Sequence, residues 1–206
     1  MTTAVLETPI SKAPLLAVTA PEAADIPRKL WTRKEYRHLI EIGILEDGKV
    51  ELVNGEIWQK MGQGRRHTAT VTWILNALGK VFGLLRLQTQ SSLPVSEYGD
   101  PEPDVAVLMQ SLDKYIDEEK LTLDNMLLVV EASDSTLRAD LTGKVRQYGN
   151  AGIPEYWVVD IPNRLLHVFR EPTETGYASE ALLTPEDEVR PLAAPDAAVR
   201  VADLLP

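Results

Sequence analysis

The chain has no cysteine in its 206 residues. That excludes a disulfide framework, thiolate metal sites and a cysteine nucleophile, and it fits a reducing, cytoplasmic location. No apolar run approaches the ~20 residues that span a bilayer, so no membrane partner is expected. Histidine is scarce. His38, His67 and His167 lie far apart and give no zinc spacing. Walker-type, Gly-x-Gly-x-x-Gly and Gly-x-Ser-x-Gly sequences are missing too, which leaves nucleotide-switch, dinucleotide and serine-hydrolase readings without a motif. Positive charge is in deficit: 21 Lys and Arg against 31 Asp and Glu give a net charge of −10. By itself that argues against binding to nucleic acid.

The distribution is less one-sided. Residues 27–90 carry eleven bases and six acids, while residues 91–206 carry nine and twenty-two. The basic stretch includes Arg28, Lys29, Arg33, Lys34, Arg37, Arg65 and Arg66, enough for a local phosphate-facing patch. A solvated helix face plus a loop explains the same residues and is the better-supported reading. Residues 1–27 are rich in Ala, Pro and Thr and lack the pattern of a secretion signal, so they are expected to form a disordered tail. The remaining 28–206 suffice for one domain, with 44% hydrophobic residues in the chain to build its core.

Thr32 is placed to cap a helix running to about Ile42, with Gly43 as its stop and Tyr36, Leu39 and Ile40 as its buried stripe. Asn54-Gly55 between two alternating segments predicts a hairpin over 49–60, because its turn needs positive φ at both central residues. Val71, Ile74, Leu75, Leu78, Val81 and Phe82 recur at helical spacing and predict a helix over 65–82. Strands are expected near Leu84–Gln90, at Pro103–Met109, Met126–Glu131, Glu155–Asp160 and Leu165–Phe169. A helix is expected over 137–150, and edge strands beyond it are expected to finish the sheet. The order describes an α/β domain with a central mixed sheet flanked by helices.

Within this order one constellation carries chemistry. Asp104 opens an apolar strand and Glu131 ends another, and a charge there is costly unless it is paired or binds a metal. Lys144 follows one helix later, with Asp140, Lys144 and Tyr148 spaced every four residues along one face. Two carboxylates and a lysine are the minimal kit for Mg²⁺-assisted hydrolysis: the carboxylates hold a hard cation, and the lysine orients water or offsets charge on a phosphate. Plainer readings exist for each. Lys144 can pair with Asp140 on a solvated face, and Asp104 can be a loop carboxylate in the turn-like Asp100-Pro-Glu-Pro-Asp.

Together these segments resemble a known family. Glu102-Pro-Asp104-Val-Ala-Val, Val130-Glu-Ala-Ser-Asp-Ser-Thr136, Asp140-Leu-x-x-Lys144-x-x-x-Tyr148 and Gly152-Ile-Pro-Glu-Tyr-Trp-Val-Val-Asp160 resemble the Uma-type family of bacterial restriction-endonuclease-like proteins, within the PD-(D/E)XK nuclease superfamily. The resemblance covers roughly residues 30–205. It implies a restriction-endonuclease-like fold with an αβββαβ core, an N-terminal hairpin and extra C-terminal strands. It also implies one Mg²⁺ site, with Mn²⁺ as an alternative occupant. Asp104 and Glu131 match the two acidic positions, and the Ala132 carbonyl is a candidate third metal ligand. Ser133 stands where the plain pattern has lysine, and Lys144 fits a lysine supplied from the next helix. Glu51 resembles an upstream supplementary carboxylate. His67 falls where the family places a histidine, although an ordinary helix N-terminal histidine explains it as well. The implied activity is phosphodiester hydrolysis of nucleic acid, DNA first. A C2 homodimer would suit double-strand cleavage, with the C-terminal strands and the Trp58 hairpin as exposed candidate surfaces. The competing readings are a catalytically silent interaction module on the same scaffold and a hydrolase of a small phosphorylated molecule.

Overall fold

The computed structural model describes residues 28–117 and 121–206. The expected tail over 1–27 lies outside the described residues. Helix α1 (Arg33–Glu41) begins with a capping box: the Thr32 hydroxyl accepts the Glu35 N–H, and the Glu35 carboxylate accepts the Thr32 N–H. Tyr36 is buried, whereas Leu39 and Ile40, expected to share its stripe, are half-buried. Asn54 and Gly55 take φ of 50° and 81° and join β1 (Val50–Val53) to β2 (Glu56–Gln59), the left-handed pair a tight hairpin turn requires. Helix α2 spans Arg65–Phe82 and buries Val71, Ile74, Leu78 and Phe82 at helical spacing.

The stretch expected as a strand over Leu84–Gln90 is mostly something else. Leu84–Arg86 forms a 3₁₀ turn, and only Leu87–Gln88 pairs, as β3. Leu84 and Leu85 are exposed there, so apolar content did not mark a buried face. Next come β4 (Val105–Leu108), β5 (Met126–Ser133), β6 (Glu155–Asp160), β7 (Leu165–Thr173) and β8 (Gly176–Leu183). Together with β3 they form one six-stranded sheet in the order β3-β4-β5-β6-β7-β8. The β5–β6 pair is parallel and every other pair is antiparallel.

A parallel pair needs a crossover, and here it is helical. It runs through α3 (Leu137–Ala139), a π-helical turn (Asp140–Lys144) and α4 (Val145–Asn150). The periodicity of 137–150 predicts a helix but not the widened turn inside it. The order α2-β3-β4-β5-crossover-β6 is the expected αβββαβ core.

Strand alternation divides the interior in two. Val105, Val107, Leu128, Val130, Trp157 and Val159 pack with α2. Ala106, Leu108, Val129, Tyr156, Val158 and Phe169 pack with Tyr148 and Ile153 at the end of the crossover. Burying each large side chain contributes about 1.5–3 kcal/mol, so both faces of the central strands are anchored. The C-terminal segment departs from expectation. Only β8 extends the sheet. β9 (Glu188–Val189) and β10 (Val199–Arg200) form a separate ribbon, and Val199, Val201, Leu204 and Leu205 cover the α2 side of the core. Among the described residues no helix is long and apolar enough to cross a membrane.

Candidate active site

Val105 pairs with Val130 in the β4–β5 ladder. Asp104 and Glu131, one step beyond on each strand, therefore lie side by side at one end of the sheet. There the Ala132 N–H donates to Asp104 Oδ2 at 2.8 Å. A strand residue points its N–H and C=O to the same side, so the Ala132 carbonyl faces the same place. His67, in the first turn of α2, puts Nε2 3.0 Å from Asp104 Oδ2. Gln90 Nε2 lies 3.5 Å from Oδ1.

The helical crossover delivers the lysine. Lys144 Nζ donates to Glu131 Oε1 at 2.9 Å and lies 3.2 Å from Glu51 Oε1 and 3.7 Å from Asp140 Oδ1. The Tyr148 hydroxyl donates to the same Glu131 Oε1 at 3.0 Å. Asp140 is held in turn, its Oδ2 accepting the Ser133 and Thr136 hydroxyls at 2.6 Å each. Ser133, two residues after Glu131, thus braces the acid beside Lys144. The solvated Lys144–Asp140 pair is not what forms: Asp140, Lys144 and Tyr148 are all buried. π-helical turns inside α-helices recur at functional sites, and this one seats Asp140 and Lys144 together.

The hairpin completes the ring. Glu51 on β1 faces Lys144 through Oε1, and its Oε2 accepts the Glu102 N–H at 3.2 Å. Glu102 pairs with Lys60 at 2.5 Å, which takes both out of the count. What remains is four buried carboxylates (Asp104, Glu131, Glu51 and Asp140) against Lys144 and His67.

The titration behaviour follows from that imbalance. Burial alone would lower the Lys144 pKa, but Glu131, Glu51 and Asp140 outweigh it and hold the ammonium well above the ordinary lysine range. Burial raises the Glu131 carboxyl, and the Asp104, Asp140 and Glu51 charges add to that against the pull of Lys144. For Asp104 burial pushes upward, yet the hydrogen bond and charge of His67, the Ala132 N–H and Lys144 bring it below its ordinary value. His67 is raised, chiefly by its hydrogen bond to Asp104.

These groups open onto a cavity of about 660 Å³, bounded by the β2–α2 loop on one side and the crossover on the other. The donor set fits a hard cation. Both hydrogen bonds to Glu131 fall on Oε1, which leaves Oε2, and Asp104 Oδ1 has only the long contact with Gln90. With the Ala132 carbonyl these are oxygen donors in a site with excess negative charge. Among the described residues no three His, Cys, Asp or Glu side chains form a ready cage. Mg²⁺ commonly binds through one or two carboxylates and fills its octahedron with water and substrate oxygen.

The comparisons bear on the family and on the fold. A family described as "Uma2: Putative restriction endonuclease" matches residues 33–202. The chain belongs to this family. A solved structure described as a "putative nuclease belonging to DUF820", from Anabaena variabilis ATCC 29413, superposes with a TM-score of 0.62 at 17% identity, covering 84% of this chain and 96% of that one. At that identity it bears on the fold alone. No curated protein gives a significant match.

All the side chains expected at the site (Asp104, Glu131, Lys144, Glu51 and His67) converge, and Ala132 lies among them. Asp140, Tyr148, Gln90 and the Glu102–Lys60 pair belong to the same cluster and were missed as site residues. Only the four-residue spacing of Asp140, Lys144 and Tyr148 hinted at two of them. The basic segment does not form a continuous phosphate-facing patch. Arg28 pairs with Glu56, Lys29 with Glu35, and Arg33 and Arg37 with Asp100. On the hairpin named as a candidate dimer surface, Glu56 and Gln59 are exposed, while Trp58 itself is half-buried, lines the cavity and packs against Gly143.

Proposed function

We propose that this Uma2-family chain is a Mg²⁺-dependent endonuclease that hydrolyses phosphodiester bonds in DNA. The observation that carries the reading is Lys144 Nζ, 2.9 Å from Glu131 Oε1 at the base of an open cavity, next to Asp104 on the paired strand. A silent module would more naturally close its buried acids with arginine, as this chain does elsewhere. Here the acids are in excess, and the counter-charge is a lysine at the cavity wall.

Asp104, Glu131 and the Ala132 carbonyl would hold the ion. Bound Mg²⁺ supplies Lewis acidity at phosphoryl oxygen and lowers the pKa of water. The residues do the rest. Lys144 is held protonated by three carboxylates, so it serves as an orienting and charge-offsetting group and not as a base. Tyr148 and Lys144 fix the Glu131 rotamer from two sides. His67 and the Ala132 N–H fix Asp104.

The test is calorimetric titration of Mg²⁺ and Mn²⁺ into wild type, Asp104→Ala and Lys144→Ala, with cleavage of plasmid and single-stranded DNA assayed on the same samples. Metal binding and cleavage are both expected to vanish in Asp104→Ala. Lys144→Ala should retain metal affinity and lose cleavage. A folded wild type that binds no metal, or a Lys144→Ala variant that cleaves normally, would overturn the assignment.

A further inference from the structure

One wall of the cavity is not used by the hydrolytic groups. Trp58 from β2 and Met61 from the loop after it line that side, and the exposed Arg138 stands at the crossover rim. Trp58 is seated with care. A Cβ on Gly143 would lie 2.2 Å from its Cη2 and 2.9 Å from Cζ2, so only glycine, immediately before Lys144, admits the ring. Asn54 Nδ2 donates to the Gly143 carbonyl at 2.9 Å and locks the hairpin to the same turn. The indole N–H is turned to Glu56 Oε2, 3.3 Å away. An aromatic ring thus stands beside the lysine of the acid cluster, in a space of the size that takes a small ligand and not a broad duplex groove.

The charge distribution points the same way. A duplex is held through many phosphates and needs a cationic surface. In this chain Arg28, Lys29, Arg33, Arg37 and Lys60 all pair with carboxylates. Of the cationic side chains that line the cavity, only Arg138 forms no ion pair among the described residues; Arg65 and Arg66, likewise without one, lie between the lining residues Gly64 and His67 in sequence, and together these suffice for a few phosphates only. Lys144 and Glu131 lie deep, with side chains 8% and 5% exposed. A phosphodiester reaches them most easily when its nucleotide leaves the stack.

Resting on the nuclease reading above, we propose that the cavity takes one unpaired nucleotide with its base stacked on Trp58, so that the substrate class is single-stranded or frayed nucleic acid. Base–aromatic stacking is tolerant of sequence, and loss of one such contact weakens binding by roughly 10–100-fold.

The experiment uses the full chain with Ca²⁺ replacing Mg²⁺. Labelled oligo-dT, oligo-rU and a matched DNA duplex are titrated by fluorescence anisotropy into wild type, Trp58→Phe, Trp58→Leu and Trp58→Ala. Trp58→Leu keeps apolar packing on Gly143 without the aromatic face, which guards against simple misfolding of Trp58→Ala. The wild type should bind a single strand more tightly than the duplex. Trp58→Leu and Trp58→Ala should lose roughly 10–100-fold in Kd, and Trp58→Phe no more than about 3-fold. Tryptophan emission should be quenched by the strand in wild type and much less in Trp58→Phe. Equal single-strand affinity in Trp58→Leu and wild type, or tighter duplex binding, would overturn the proposal. Cleavage in Mg²⁺ separates the two readings. A wild type that binds strands through Trp58 but cuts none removes the nuclease and keeps the stacking site. Cleavage with the same kcat/KM in wild type and Trp58→Leu removes the stacking site and keeps the nuclease.

Discussion

Asp100 and Asp104 lie four residues apart in sequence, are both buried, and are held in opposite ways. Asp100 is closed off. Arg37 Nε lies 2.6 Å from its Oδ2, Arg33 Nε lies 3.6 Å away, and the Ser92 hydroxyl donates to Oδ1. Its backbone bridges Leu52 in both directions and ties β1 to the loop before β4. Glu155 repeats that arrangement, with Arg170 at 2.7 Å and the Trp157 indole N–H and Leu192 N–H donating to it. Asp104 instead joins a group in which acids outnumber cations. Burying an ion costs several kcal/mol unless it is compensated. Asp100 and Glu155 are compensated by the fold alone, whereas the Asp104–Glu131 group keeps its acids in excess, a surplus that the proposed Mg²⁺ would offset. In this chain charge balance, and not burial, separates a structural acid from a chemical one.

The largest way to break that contrast is at the chemical centre. Asp104→Asn and Glu131→Gln are expected to lower cleavage on the order of 10²–10³-fold or more, since each removes a carboxylate charge that would hold the metal ion. In chelator Glu131→Gln should melt at or above wild type, because burial and the neighbouring carboxylates hold the Glu131 carboxyl above its ordinary range, whereas Asp104→Asn should melt slightly below wild type but stay folded, because His67 and the Ala132 N–H favour the Asp104 charge. Single-turnover cleavage and thermal unfolding of the same preparations check both halves. Loss of the fold in Asp104→Asn would show that the acid is structural after all.

The converse substitution is Arg37→Met. It leaves the wholly buried Asp100 carboxylate with the more distant Arg33, and should cost about 3 kcal/mol of stability. Cleavage per folded molecule should not change. Urea unfolding together with an active-site titration reads both quantities. A variant as stable as wild type would mean that the Asp100 cluster does not hold the hairpin in place.

Much of this contrast was hidden in the sequence. Asp100 and Asp104 share one turn-like segment, and nothing local says which one faces arginine. The legible parts were those with a strong period. Residues 65–82 read as a helix because six apolar positions follow its turn, and Asn54-Gly55 fixed the hairpin because few other pairs accept two positive φ values. Asp104, Glu131 and Lys144 were legible because charge beside an apolar strand demands a reason. The π-helical turn was not, since the helical pieces on either side, Leu137–Ala139 and Val145–Asn150, are too short for a one-residue phase shift to show in the apolar pattern. Gly143, the residue that admits Trp58, reads in sequence as a weak helix position and nothing more. The Ser133–Asp140 brace and the Lys60–Glu102 pair depend on crossings that only the assembled sheet creates.

Metal addition sharpens the comparison more gently. A ligand that binds only the native state stabilises it by about 2.7 kcal/mol at a hundredfold excess over Kd. Mg²⁺ should therefore raise the melting temperature of wild type and of Arg37→Met alike, and leave Asp104→Asn unmoved. A rise of equal size in Asp104→Asn would place the cation elsewhere on this acidic surface.

The smallest expected effect is at His67, the weaker of the two cations facing the acid group. Its pKa is raised above the ordinary 6.5 by the hydrogen bond to Asp104, and Asp104 is lowered from 3.8, with His67 as the chief opponent of its burial. The signs then fix a window. A raised histidine contributes stability that is fully present below 6.5 and lost as pH rises through its folded-state value. A lowered aspartate contributes stability that is present above 3.8 and lost as pH falls through its own folded-state value. In chelator, wild type should therefore exceed His67→Ala in stability most between about pH 4.5 and 6, by about 1 kcal/mol, and the gap should narrow toward pH 9. The Arg37–Asp100 pair, whose cation does not titrate in this range, should show no such narrowing when wild type is compared with Arg37→Met. A His67→Ala gap that stays constant or widens toward pH 9 would mean that the imidazole is held by packing in α2, not by the charge of Asp104.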